Sequence, residues 1–160
     1  MNKKVLSVLV DNTSGVLIRV AGLFSRRGYN IDSLTVGVTQ DPRYSRMTIV
    51  VTGDDDIIEQ IIKQIEKLVD VNKVEVLEDN NSVCRELILT KVKTTPEQRQ
   101  QVMAVADIFR AKIVDVGIDS LIIELTGNQN KLDAFLNLLA DYEILELVRT
   151  GITGLARGTK

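Results

Sequence analysis

The chain has 160 residues, with 20 basic and 22 acidic side chains and a net charge of −2, which excludes a binder that relies on neutralising nucleic-acid phosphates. It contains no His and a single Cys, so His-ligated metals, Ser/His or Cys/His nucleophile pairs, an imidazole base and an internal disulfide are all excluded. The composition, 44% apolar and 26% charged, is that of a folded globular chain, and the absence of a leader pattern or an apolar run of about 18 residues points to a cytoplasmic protein off the membrane.

Residues 1–79 and 80–160 read as two domains joined by the polar stretch Glu78-Asp79-Asn80-Asn81-Ser82. In the first, Val5 to Val10 is a short β-branched and aliphatic run that suits a central strand. Asp11 to Gly15 breaks it. Val16, Leu17, Val20, Ala21, Leu23 and Phe24 then recur at helical spacing, and Gly28 stops the helix behind Arg26 and Arg27, cations suited to a helix C-terminus. Asn30 to Thr39 alternates as a strand, Asp41-Pro42-Arg43 turns, and Met47 to Thr52 is a further strand. Asp54, Asp55 and Asp56 open a second helix striped by Ile57, Ile58, Ile61, Ile62, Ile65, Leu68 and Val69, and Val71 to Leu77 closes the domain as a strand.

The second half repeats the order. Cys84 to Val92 is a strand, and Thr95-Pro96-Glu97 is an N-cap with Pro at the first helical position. Val102, Val105, Ala106 and Phe109 make the helical stripe. Ile113 to Val116 and Leu121 to Thr126 are strands, Leu132, Phe135, Leu136 and Leu139 mark the second helix, and Ile144 to Val148 is the last strand. The fold class is α+β: two ferredoxin-like βαββαβ domains, each an antiparallel sheet with two helices on one face. Units of about 80 residues have little spare stability, and one sheet face of the first is left uncovered, so association with a second subunit or with the other domain is expected.

Asp11 to Gly15 is the most informative segment. It leads from a strand into a helix N-terminus, where free N–H groups can hold a carboxylate, yet the same residue types serve as ordinary helix caps, which are far commoner, and spacing alone favours the capping reading. Asn30, at the start of the next strand, is placed to approach this loop in its own or a neighbouring subunit. Other segments carry less. Arg27-Gly28-Tyr29 sits at a helix end with few aromatics around it, which argues against RNA binding. Asp54 to Asp56 lacks Ca²⁺-loop spacing and reads as helix-start charge. Cys84 reads as a packed thiol rather than a nucleophile. Gly151, Gly154 and Gly158 lack the strand–helix setting of a dinucleotide site and read as a flexible end.

Several blocks together resemble one family. The run from Asn12 to Val36, including Asn12-Thr13-Ser14-Gly15-Val16-Leu17 and Arg26-Arg27-Gly28-Tyr29-Asn30-Ile31, is similar to the N-terminal segment of the small, regulatory subunit of acetolactate synthase (acetohydroxyacid synthase). Ser45 to Ile49, Lys67 to Val71, Arg85-Glu86-Leu87, Ile108 to Val116, Lys131 to Phe135 and Gly151 to Gly158 resemble later blocks of the same family, so the likeness spans nearly the whole chain. It implies an N-terminal ACT domain that dimerises and binds valine, or leucine or isoleucine, at a subunit interface. It also implies a homodimer or higher homo-oligomer that performs no chemistry. In the family, such a chain activates a large catalytic subunit carrying thiamine diphosphate, Mg²⁺ and FAD, and makes that subunit subject to end-product inhibition. The partner joins pyruvate to pyruvate or 2-oxobutyrate. No cofactor or metal is expected on this chain. The family's ligand residues carry over onto Asn12, Gly15 and Asn30, with Ile31 beside them and Leu9 and Leu17 as apolar lining.

Overall fold

A computed structural model describes residues 2–159. The first unit is built from β1 (Asn2–Asp11), α1 (Val16–Arg26), β2 (Ile31–Val38), β3 (Tyr44–Gly53), α2 (Asp55–Glu66) and β4 (Val71–Leu77). Its antiparallel sheet has the order β2-β3-β1-β4. Alternation along β1 sends Leu6, Val8 and Val10 to the helix-covered face, where they meet Val16, Val20, Leu23 and Phe24 of α1 and Ile58, Ile61 and Ile65 of α2 in one core. Each helix buries a stripe at three- and four-residue spacing. Each such Leu, Ile or Phe contributes about 1.5–3 kcal/mol on leaving water.

The second unit repeats this plan with β5 (Ser82–Lys93), α3 (Pro96–Ile108), β6 (Lys112–Val116), β7 (Ser120–Gly127), α4 (Gln129–Leu138) and β8 (Ile144–Arg149), in sheet order β6-β7-β5-β8. Ile88 and Val92 of β5 pack with Val102, Ala106, Leu132 and Phe135 in a separate core, in which the Phe109 and Phe135 rings meet edge-on at 5.4 Å. Among the described residues, no helix is long and apolar enough to cross a membrane.

The C-terminal end differs from its reading as a flexible tail. Thr153–Ala156 is a strand, β9, that pairs with β5. Gly154 is buried so tightly that a Cβ on it would lie 2.7 Å from Cys84 Sγ and 3.0 Å from the Val83 carbonyl oxygen. Arg157 N–H donates to the Asn81 carbonyl (2.8 Å). The compact units are therefore Met1–Cys84 with Ile152–Lys160, and Arg85–Gly151. That division differs from the one at residues 79/80 because the chain's last residues return to the first unit. There they lie on the sheet face away from the helices: Thr35 Oγ1 donates to the Ile152 carbonyl (3.5 Å), and Leu155 and Ala156 border a shallow cavity of about 190 Å³ with Ser7, Arg46, Lys73 and Glu75. The face expected to await another domain or subunit is thus partly covered by the chain's own end. Gly154 permits close approach of the two backbones rather than flexibility.

Candidate functional site

The strand–helix junction after β1 is held at two backbone points. Asp11 N–H donates to the Asp70 carbonyl (2.8 Å) and Asn12 N–H to the Arg43 carbonyl (2.7 Å). The Asn12 side-chain amide adds a third anchor by donating to the Pro42 carbonyl (3.0 Å), which leaves its Oδ1 as an acceptor. The turn that receives Asn12 is itself braced: Arg43 donates from its guanidinium and its backbone N–H to Asp41, and these bonds hold the Asp41 carboxyl below the usual carboxylate value.

From Asn12 the chain runs through Thr13 and Ser14 to Gly15, the N-cap of α1. Gly15 is left-handed (φ 88°, ψ −9°), and no side chain caps the helix. The first turn contains no acidic residue. Although Asn12, Thr13 and Ser14 are all good capping types, none of them caps, so the first N–H groups of α1 receive no side-chain cap. The positive end of the helix dipole is uncompensated from within its own first turn, a setting that favours an anion.

The sequence-selected residues fall into two groups. Asn12, Gly15 and Leu17 share this end of the first unit, and Leu17 is half exposed. Asn30 and Ile31 do not join them within one chain. Ile31 pairs with Val51, and Val51 pairs with Lys4, seven residues before Asp11. At about 3.3 Å per residue, that is about 23 Å along the sheet. Asn30 Nδ2 donates to Asp32 Oδ1 (3.3 Å), leaving its own Oδ1 as an acceptor, and Ile31 packs on the edge of the core. Leu9 alternates with the core residues Val8 and Val10 and so faces away from α1.

Two residues that the apolar periodicity did not single out complete the picture. Arg19, in the second turn of α1, pairs through Nε with Asp70, which leads into β4. Its Nη1 lies where a Cβ on Gly15 would come within 2.9 Å. The signal for them was positional: Arg19 is four residues beyond Gly15, and so on its helix face, and Asp70 lies within the Lys67 to Val71 block. Among the described residues, no group of three or more His, Cys, Asp or Glu side chains is arranged to hold a metal ion.

The edges of the first sheet also differ. β4 carries charges, with Lys73 and Glu75 3.9 Å apart, a common guard against edge pairing. β2 has no charged residue from Ser33 to Thr39 and exposes Val36 and Val38.

Comparisons with known proteins agree along the whole chain. Residues 6–73 match the family model described as the AHAS small subunit-like ACT domain, and residues 85–158 match that of the small subunit of acetolactate synthase. The chain is 52% identical over 158 residues to a probable acetolactate synthase small subunit of Archaeoglobus fulgidus, covering 99% of both. The chain belongs to the acetolactate synthase small-subunit family. The corresponding subunit of Mycolicibacterium smegmatis is 49% identical over 155 residues, covering 97% of this chain and 91% of that one. The crystal structure of the Thermotoga maritima small subunit superposes with a TM-score of 0.91 at 44% identity, each chain covered completely. As a small subunit of this family, the chain has a catalytic subunit as its partner.

Proposed function

We propose that the chain is a non-catalytic regulatory subunit that raises the activity of an acetolactate synthase catalytic subunit and makes it sensitive to valine, with leucine and isoleucine as the alternative effectors. In this reading thiamine diphosphate, Mg²⁺ and FAD belong to the partner. The observation that carries it is the uncapped α1 N-terminus behind left-handed Gly15. It suits an amino-acid carboxylate, and the Asn12 Oδ1 beside it suits the ammonium group.

The separation of Asn12 and Gly15 from Asn30 and Ile31 supports a site shared between two copies. If two β2 edges pair antiparallel about a two-fold axis, the Asn30 end of each is carried toward the Gly15 end of the other. The uncharged stretch of β2 from Ser33 onward, with its exposed Val36 and Val38, favours that pairing. Such a site also supplies a mechanism. Valine shifts the complex only if one arrangement of the two copies binds it more tightly, and a site divided between them makes binding depend on that arrangement.

The test is acetolactate formation by the catalytic subunit of the same organism, purified alone and with this chain, with and without valine, leucine or isoleucine. Stimulation by the chain and its reversal by one of these amino acids are expected. The absence of both stimulation and any amino-acid effect would refute the assignment.

A further inference from the structure

We propose that Arg19 is the carboxylate-binding side chain of the amino-acid site, and that Asp70 is the positioning residue that holds it there. This rests on the amino-acid reading of the α1 N-terminus and names a group that the reading lacks, a fixed positive charge.

Three observations carry it. Arg19 reaches Asp70 through Nε, and Asp70 is largely buried whereas Arg19 is half exposed. An Nε contact spends one of the five guanidinium donors and leaves the Nη1–Nη2 edge to make a two-pronged contact. The Nη1 end lies against Gly15: a Cβ there would lie 2.9 Å from Nη1, 3.6 Å from Cζ and 3.9 Å from Nη2. The guanidinium therefore shares the space above Gly15 with the first N–H groups of α1, and an anion seated on those groups meets it.

The second unit shows what an arginine at the same helical position does when it is purely structural. Arg99 also stands four residues after its N-cap, Thr95. Its Nη2 is spent on the carbonyls of Gly117 (2.6 Å) and Ile118 (2.8 Å), which clamps the β6–β7 turn. Arg19 has no such carbonyl partners. Its anchor is a carboxylate that orients it, and its Nη1 end is left toward the junction.

The experiment compares two ligands on the full-length chain by calorimetry: valine and valinamide, which replaces the carboxylate by a neutral amide. The wild type is expected to bind valine and to discriminate strongly against valinamide. Arg19→Gln is expected to weaken valine at least tenfold while changing valinamide little, so that the ratio of the two affinities falls by a similar factor. Arg19→Lys, which keeps the charge but not the fork, is expected to lie between the two, and it serves as the reading should Arg19→Gln fail to fold. Equal losses for both ligands, with the ratio preserved, would show that Arg19 only supports the fold and would overturn the proposal while leaving the amino-acid site standing. A wild-type chain that binds none of valine, leucine and isoleucine would overturn the amino-acid reading, and the Arg19 role with it.

Discussion

The two βαββαβ units begin from the same scaffold and finish it differently. After β1, Asp11 and Asn12 donate to the carbonyls of Asp70 and Arg43; after β5, Lys93 and Thr94 donate to those of Glu143 and Asp119. The anchoring is equivalent bond for bond. From there unit two goes directly into its helix, whose N-cap Thr95 forms a capping box with Gln98, with Pro96 at the first helical position. Unit one takes two further residues and enters at Gly15 with no side-chain cap. The second helices repeat the contrast: Asn128 caps α4, whereas Asp54 does not cap α2. One junction is closed by its own side chains and the other is left with free donors. Since the folds match, the difference in capacity lies in a few junction residues, which is where function must be sought on a shared fold.

The sharpest way to break this contrast is Gly15→Asp. The left-handed backbone at Gly15 tolerates Asp better than most residues, at a cost of about 1–2 kcal/mol. The clashing atom is the end of a flexible arginine, which can move aside. Fold and activation of the partner should therefore survive. The new carboxylate would pair with Arg19 and stand where a ligand carboxylate docks, so the amino-acid response should disappear. Calorimetry with valine checks this directly; an unchanged affinity would mean that the open junction is not the site.

A smaller effect is expected from Gly154→Ala, which separates the units by their completeness. Unit two is one continuous stretch of chain, whereas unit one needs β9 from the far end. The added methyl would meet Cys84 Sγ, Leu77 Cδ1 and a backbone carbonyl within 3.0 Å, and overpacking of this kind costs about 1–3 kcal/mol. Hydrogen exchange should show the loss concentrated in β1, β3 and β4, with the α3–α4 core unaffected. A uniform loss across both units would show that β9 serves them equally.

The order of elements was legible because each core stripe kept its period: Val16, Val20, Leu23 and Phe24 in one helix and Ile58, Ile61 and Ile65 in the next are buried where helical spacing puts them. β9 was not legible. Its four residues, Thr153–Ala156, are too short for an alternation to register, and Gly151, Gly154 and Gly158 in and around it read as a flexible end. Its strand character comes from the backbone it meets, which no local pattern encodes. At the site, Gly15 was legible through the family resemblance, whereas spacing alone favoured an ordinary helix cap, a role Gly also fills. The types Asn12, Thr13 and Ser14 argued for a side-chain cap that does not form, because the N-cap position falls on Gly15, which has no side chain. Arg19 and Asp70 are 51 residues apart in sequence, so only the fold could bring them together.

The smallest expected effect tests whether the closed junction is only structural. In Thr95→Ala the Gln98 N–H loses its acceptor, and the Gln98 side chain, which accepts from the Thr95 N–H, loses the reciprocal bond that fixed it. A lost N-cap costs about 1 kcal/mol, a fall of about 4–8 °C in the melting temperature for a unit of this size. Pro96 still presets the first turn, and the backbone anchors at Lys93 and Thr94 remain, so the helix should stay and only its start should fray. Opening this end also frees N–H groups, which makes it superficially like the first junction. Valine binding should nonetheless be unchanged, because Arg99 stays committed to the Gly117 and Ile118 carbonyls and brings no free charge to the opening. A gain of a second valine site on removing this one hydroxyl would show that an uncapped helix start suffices, and that the two units differ by less than their junctions suggest.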